Sequence, residues 1–114
     1  MKKNYLISPY SYPGCPDSQY SFIITKVAEY YNISVEDMLK RCRERKYTEP
    51  RQIAMMLCFN YIEKSTQQRV GEKIGFRNPA TVLHACRTII NLRETNKKFD
   101  KEVTELISIL KLSK

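Results

Sequence analysis

Only three glycines, Gly14, Gly71 and Gly75, occur in 114 residues. They are too few and too widely spaced for a G-x-G-x-x-G dinucleotide fingerprint, and no G-x-x-x-x-G-K-[ST] phosphate loop is present. No nucleotide partner is expected by either route. Histidine is nearly absent too, with His84 standing alone. The four cysteines, Cys15, Cys42, Cys58 and Cys86, contain no C-x-x-C pair. Zinc sites need thiolates or imidazoles clustered at short spacing, so neither a metal nor any other cofactor is expected. Free thiols in a reducing cytoplasm are what that spacing favours. Cys58 and Cys86 lie in apolar stretches and are expected to act as small core hydrophobes. The longest apolar run, Ile53 through Phe59, falls far short of the roughly 20 residues that cross a bilayer. No apolar segment follows Lys2 and Lys3 as a signal peptide would require. An enzyme is disfavoured because a nucleophile needs a base within reach. His84 and Cys86, two apart on a helix, do not face each other.

What the chain has in excess is positive charge, and the charge is unevenly placed. Residues 40–93 carry Lys40, Arg41, Arg43, Arg45, Lys46, Arg51, Lys64, Arg69, Lys73, Arg77, Arg87 and Arg93 against Glu44, Glu49, Glu63 and Glu72. The whole net charge of +8 therefore sits in that stretch, and the remaining bases and acids cancel. A basic middle between neutral ends points to a face for a polyanion.

The length is that of one domain. Residues 1–17 are expected to be an irregular N-terminal segment, because Pro9, Pro13, Gly14 and Pro16 interrupt regular structure there. Residues 18–114 are expected to be all-α, with about six helices. Tyr20, Ile23, Ile24, Val27, Ala28 and Tyr31 recur at helical spacing, with Ser18 as N-cap and Asn32 as the stop. Ser34 through Asp37 reads as a capping box for a short helix over 34–41, with Ile33 and Met38 as its staple. The basic stretch 40–46 reads as a loop. Thr48 is expected to cap the next helix, over 48–62, with Pro50 in its first turn. A short helix begins at Ser65-Thr66 and ends at Gly75, with Val70 and Ile74 facing inward. Gly75-Phe76-Arg77 is the turn, and Asn78-Pro79 opens a helix over 79–94 that buries Val82, Leu83, Cys86, Ile89 and Ile90. A last amphipathic helix carries Phe99, Val103, Leu106, Ile107 and Leu110.

Two helices joined by a short glycine-led turn form a helix-turn-helix. The second helix of that motif enters the major groove of DNA and reads base edges with its first residues. Those residues are Arg77, Asn78, Pro79, Ala80 and Thr81, with His84 one turn on. Arg77 can donate bidentately to guanine, and Thr81 can bond a base or pack on a thymine methyl. The basic loop offers Arg41, Arg43, Arg45 and Lys46 as a second footprint, in a narrow minor groove or on phosphates. Each assignment has a plainer alternative. Asn78 is also a natural helix cap, His84 can pack on the preceding helix, and the loop cations can be a solvated charge run. Arg93 is expected to lay its stem over the core.

Residues 75–87, Gly-Phe-Arg-Asn-Pro-Ala-Thr-Val-Leu-His-Ala-Cys-Arg, resemble the signature Gly-Gly-Arg-Asp-His-Thr-Thr-Val-Leu-His-Ala-Cys-Arg. That signature belongs to the C-terminal DNA-binding domain of the bacterial replication initiators of the DnaA family. Val27 through Tyr31, Pro50-Arg51-Gln52 and Lys40-Arg41-x-Arg43 fit the same pattern, so the resemblance covers about residues 20–112. It implies a compact, Trp-repressor-like helix-turn-helix domain that binds double-stranded DNA at a DnaA-box nonamer. By that resemblance Arg43 enters the minor groove, Arg51 and Gln52 serve the DNA backbone, and His84 contacts DNA from the recognition helix. The departures fall where bases are read. The family's Asp-His-Thr-Thr is here Asn78-Pro79-Ala80-Thr81, which removes side-chain hydrogen bonds and converts an acceptor-only group into a donor and acceptor. No ATPase motif accompanies the domain, so such a chain is expected to bind DNA, in the cytoplasm and with the nucleoid, without initiating replication by itself. The expected role is regulation of replication or transcription. The alternative is a protein-interaction module that kept the fold and lost specific reading, with the tyrosine-rich residues 1–17 as its contact for a protein partner.

Overall fold

Pro16 opens the first helix, α1 (Pro16–Tyr30), at a position where the missing N–H has no helical acceptor to lose. The computed structural model describes residues 16–62, 65–75 and 77–110. The irregular segment expected over residues 1–17 therefore lies outside the described residues except at Pro16 and Asp17, which are helical. Ser18 is inside the first turn and does not precede it. The helix ends as the sequence suggests. Asn32 takes a left-handed φ of 59°, and the amides of Asn32 and Ile33 donate to the carbonyls of Glu29 and Ala28 at 3.1 and 3.0 Å. These two bonds are the Schellman pattern that satisfies the last carbonyls of a helix.

Five further helices follow: α2 (Val35–Leu39), α3 (Arg45–Tyr61), α4 (Gln67–Lys73), α5 (Pro79–Thr95) and α6 (Lys97–Leu110). No strand occurs among the described residues, and the fold is the all-α one expected. Three short-range caps form, those of Ser34 and Asn78 as read from sequence and that of Thr66 where a helix start was expected. Ser34 Oγ accepts from the Asp37 amide at 3.0 Å, Thr66 Oγ1 from the Arg69 amide at 3.1 Å, and Asn78 Oδ1 from the Ala80 amide at 2.7 Å. Asn96 Oδ1 starts α6 in the same way, accepting from Phe99 at 3.1 Å.

α3 is the central helix and packs on α1, α2, α4 and α5. Every residue from Ile53 to Cys58 is buried, as an all-round apolar helix requires. Burial pushes the Cys58 thiol well up, so it behaves as a small hydrophobe. Cys42, Cys58 and Cys86 are all free thiols.

Expectations for α3 and α5 are corrected here. α3 begins three residues earlier than Thr48, at Arg45. The Thr48 hydroxyl donates back to the Cys42 carbonyl at 3.2 Å and caps nothing. Pro50 consequently lies in the second turn, inside the helix. Ile90 is 44% exposed. The buried stripe of α5 runs through Val82, Ala85, Cys86 and Ile89, at i, i+3, i+4 and i+7, and Ile90 lies a further ~100° around the helix. Leu83 is only half-buried.

Candidate nucleic-acid interface

α4, the turn and α5 form a helix-turn-helix whose close approach depends on two glycines. The Arg77 amide donates to the Gly71 carbonyl at 2.8 Å. A Cβ on Gly71 would stand 2.1 Å from the Arg77 carbonyl oxygen, so no larger residue fits without moving backbone. Gly75 has a φ of +74°, which side-chain-bearing residues rarely adopt. Val70 and Ile74 face inward and are fully buried, which fixes α4 on the core.

The start of α5 is left open. Asn78, Pro79, Ala80, Thr81 and His84 are all exposed. Asn78 has its side-chain oxygen on the Ala80 amide, so its cap role is realised. Beyond that bond, the first turn offers the ring of Pro79, the methyl of Ala80 and the hydroxyl of Thr81. Arg87, also exposed, continues the His84 face of the helix. It was not singled out from the sequence, although the spacing 80, 84, 87, 91 was there to read. Arg69 is exposed in the first turn of α4.

The basic stretch departs from the expectation of one loop over 40–46. Arg41 and Arg43 are exposed on the connection between α2 and α3. Arg45 and Lys46 lie in the first turn of α3. Arg45 is highly exposed and pairs with Glu49 at 3.4 Å. Lys46 Nζ sits 5.0 Å from the Tyr47 ring centroid and Lys40 Nζ 4.8 Å from it, so one ring supports two cations. Contact with Tyr47 pushes the Lys46 pKa up, and Asp37 does the same for Lys40. Both stay ammonium ions at neutral pH.

Two arginines expected to face DNA have other partners. Arg51 is 7% exposed. Its Nη1 donates to the carbonyls of Met38 at 3.0 Å and Lys40 at 2.9 Å. Its Nη2 donates to the Cys42 carbonyl at 3.0 Å and to Thr48 Oγ1 at 3.3 Å. Gln52 beside it is half-buried. Arg77 Nη1 donates to the carbonyls of Leu39 at 2.9 Å and Ile74 at 3.1 Å, and Nη2 to Lys40 at 3.2 Å. Burial lowers the pKa of both guanidiniums, and for Arg77 the nearby Arg51 and Arg41 add to this. Both remain charged, since guanidinium does not lose its proton in proteins. The expectation that Arg77 donates a fork to guanine is therefore corrected. In this structure the fork is occupied by the ends of α2 and α4, because the turn places it directly over their unpaired carbonyls. Arg93, expected to lay its stem over the core, pairs with Asp100 of α6 at 2.7 Å.

The structure thus ties the backbone of Leu39 and Lys40, just before Arg41, to the turn that leads to Pro79, Ala80, Thr81 and His84. Among the described residues no helix is long and apolar enough to cross a membrane, and no group of three His, Cys, Asp or Glu is placed to hold a metal. The chromosomal replication initiator protein DnaA of Bacteroides thetaiotaomicron is 38% identical over 89 residues. That match takes in 78% of this chain and 19% of the relative, so the chain spans about a fifth of the curated protein's length. The family described as bacterial dnaA protein helix-turn-helix matches residues 20–89, which take in the basic stretch, α4 and the first eleven residues of α5, and the chain belongs to that family.

Proposed function

We propose that this chain binds double-stranded DNA without catalysis, laying the start of α5 in the major groove and the Arg41–Arg43 connection on the adjacent backbone or minor groove. The observation that carries this reading is the exposed tip of α5 tied through Arg77 to the chain just before the exposed Arg41 and Arg43, in a family named for its helix-turn-helix. In this reading Thr81 and His84 meet base edges, Pro79 and Ala80 make apolar contacts, and Arg41, Arg43, Arg45 and Lys46 neutralise phosphates. Gln52 assists from the side of α3. Arg51 and Arg77 serve by holding backbone. The preference is DnaA-box-like or altered, since the first-turn side chains offer few hydrogen bonds. The process served is regulation of replication or transcription, by occupying sites.

A fluorescence-anisotropy titration of a DnaA-box duplex and a scrambled duplex, each at about 50 and 200 mM salt, tests the reading. Binding to both with a steep salt dependence is expected of the phosphate contacts. A box preference above about tenfold, ~1.4 kcal/mol, would add sequence reading to it. The apolar tip of α5 and the capped Asn78 favour one alternative, a protein-interaction module. Absence of binding to either duplex at low salt would replace DNA binding with that reading.

A further inference from the structure

The short helix α2 has little to hold it on its own, because five residues cannot sustain a helix in water. Its last carbonyls, at Met38, Leu39 and Lys40, have no partners within the helix. Arg51 reaches them from α3 and Arg77 from the helix-turn-helix turn. The Lys40 carbonyl accepts from both, at 2.9 and 3.2 Å, using its two lone pairs. The Cys42 carbonyl accepts from Arg51 and from Thr48. The backbone is thus pinned at 38, 39, 40 and 42, and the residues between and just beyond the last pins, Arg41 and Arg43, are exposed. Gly75 leaves the room this needs. A Cβ there would fall 1.7 Å from Arg77 Nη1 and 3.0 Å from the Leu39 carbonyl. Two positive charges at a helix C-terminus also suit its dipole.

We infer that Arg77 is a positioning residue, which clamps the end of α2 jointly with Arg51 and so sets Arg41 and Arg43 in fixed register with the exposed end of α5. The inference rests on the DNA-binding reading above. Arg77 is the bond between the two footprints: its backbone belongs to the turn before α5, and its guanidinium to the arginine connection. A pre-ordered connection loses less freedom on binding than a loose one. Arg43 then gains its full value only when Arg77 is in place.

Two measurements test it. In a Cys15→Ser background, Cys42 is the half-exposed thiol beside the buried Cys58 and Cys86, so its labelling rate reports opening of the connection. Arg77→Met should speed that rate about fivefold or more with the helical circular dichroism retained. Arg77→Lys, which keeps the charge but lacks the fork, should do the same. The second measurement is a double-mutant cycle on duplex binding. Arg43→Ala should weaken wild-type binding about tenfold but the Arg77→Met protein less than about twofold, while Thr81→Ala costs the same in both. An unchanged labelling rate, an Arg43 cost that persists without Arg77, or a Thr81 cost that shrinks with it would each overturn the inference. If the wild type binds no duplex, the functional reading fails separately, and with it the clamp's service to DNA, while the labelling arm still decides whether Arg77 holds the connection.

Discussion

Arg43, Arg51 and Arg77 are the same residue type in one basic stretch, and their surroundings give them different work. Arg43 is exposed, whereas Arg51 makes four hydrogen bonds inside the protein. Arg51→Met removes a charged donor from several carbonyls and should lower stability by roughly 2–4 kcal/mol. Arg43→Ala should change it by no more than about 0.5 kcal/mol. Urea denaturation separates the two, and equal midpoints for both variants would contradict the burial of Arg51. The glycines divide similarly. Gly71→Ala drives a Cβ into backbone at 2.1 Å, and overpacking that only a backbone shift relieves costs about 2–3 kcal/mol. Gly75→Ala meets the far end of the Arg77 side chain and a positive φ, worth about 1–2 kcal/mol. Gly71→Ala should therefore have the lower urea midpoint, while Gly75→Ala should also free Cys42 for labelling. The sequence announces Gly75, which sits between two periodic segments. It does not announce Gly71, which is within a helix and matters only because Arg77 passes over it. Charge is likewise legible in sequence, but the destination of a guanidinium is not.

At the scale of the element, what was legible is what is decided within one turn of chain. The caps at Ser34, Thr66 and Asn78 depend on a side chain and an amide two or three residues on. At the start of α3 the Cys42 carbonyl draws the Thr48 hydroxyl and the Arg51 fork, and Arg45 and Lys46 belong to the helix. No local signal carries that. The tip of α5 allows a prediction about recognition. Pro79 and Ala80 are exposed and apolar, and the apolar group that the major groove offers is the thymine methyl. In the best-bound duplex, replacing a single thymine by deoxyuridine at the position facing Ala80 deletes that methyl and leaves all hydrogen bonds intact. Losing burial worth ~0.8 kcal/mol should weaken binding about fourfold. Ala80→Gly should be indifferent to the same replacement. Affinity that ignores every thymine-to-deoxyuridine change would remove methyl contact from the reading of this helix.

Across the whole molecule, the basic middle and the neutral ends divide the labour. The core-forming periodicities of α1, α3 and α6 were readable because apolar residues repeat with the helical turn. The polar tie between the two ends of the chain was not, since it joins residues over seventy positions apart. The Tyr31 hydroxyl donates to Glu102 and the Tyr30 hydroxyl to Glu105, linking α1 to α6. The bond to Glu105 pushes the Tyr30 pKa up to about 12. Burial first, and then Glu102, raises that of Tyr31 further. In the unfolded chain both phenols titrate near 10. Below about pH 10 both states keep these protons and the ties are intact. Above it the unfolded state loses protons that the folded state retains, so stability must fall as pH rises through the window from about 10 to 12 and beyond. Tyr31→Phe should cost about 1 kcal/mol at neutral pH, a Tm lower by about 4–8 °C. It should also make the alkaline decline shallower, because one of the two raised phenols is gone. Thermal melts of wild type and variant from pH 7 to 11 check both effects at once. Two curves that stay parallel above pH 10 would mean the Tyr31 proton is no better held in the folded protein than in the unfolded one, and that the polar link between α1 and α6 rests on Tyr30 and Glu105.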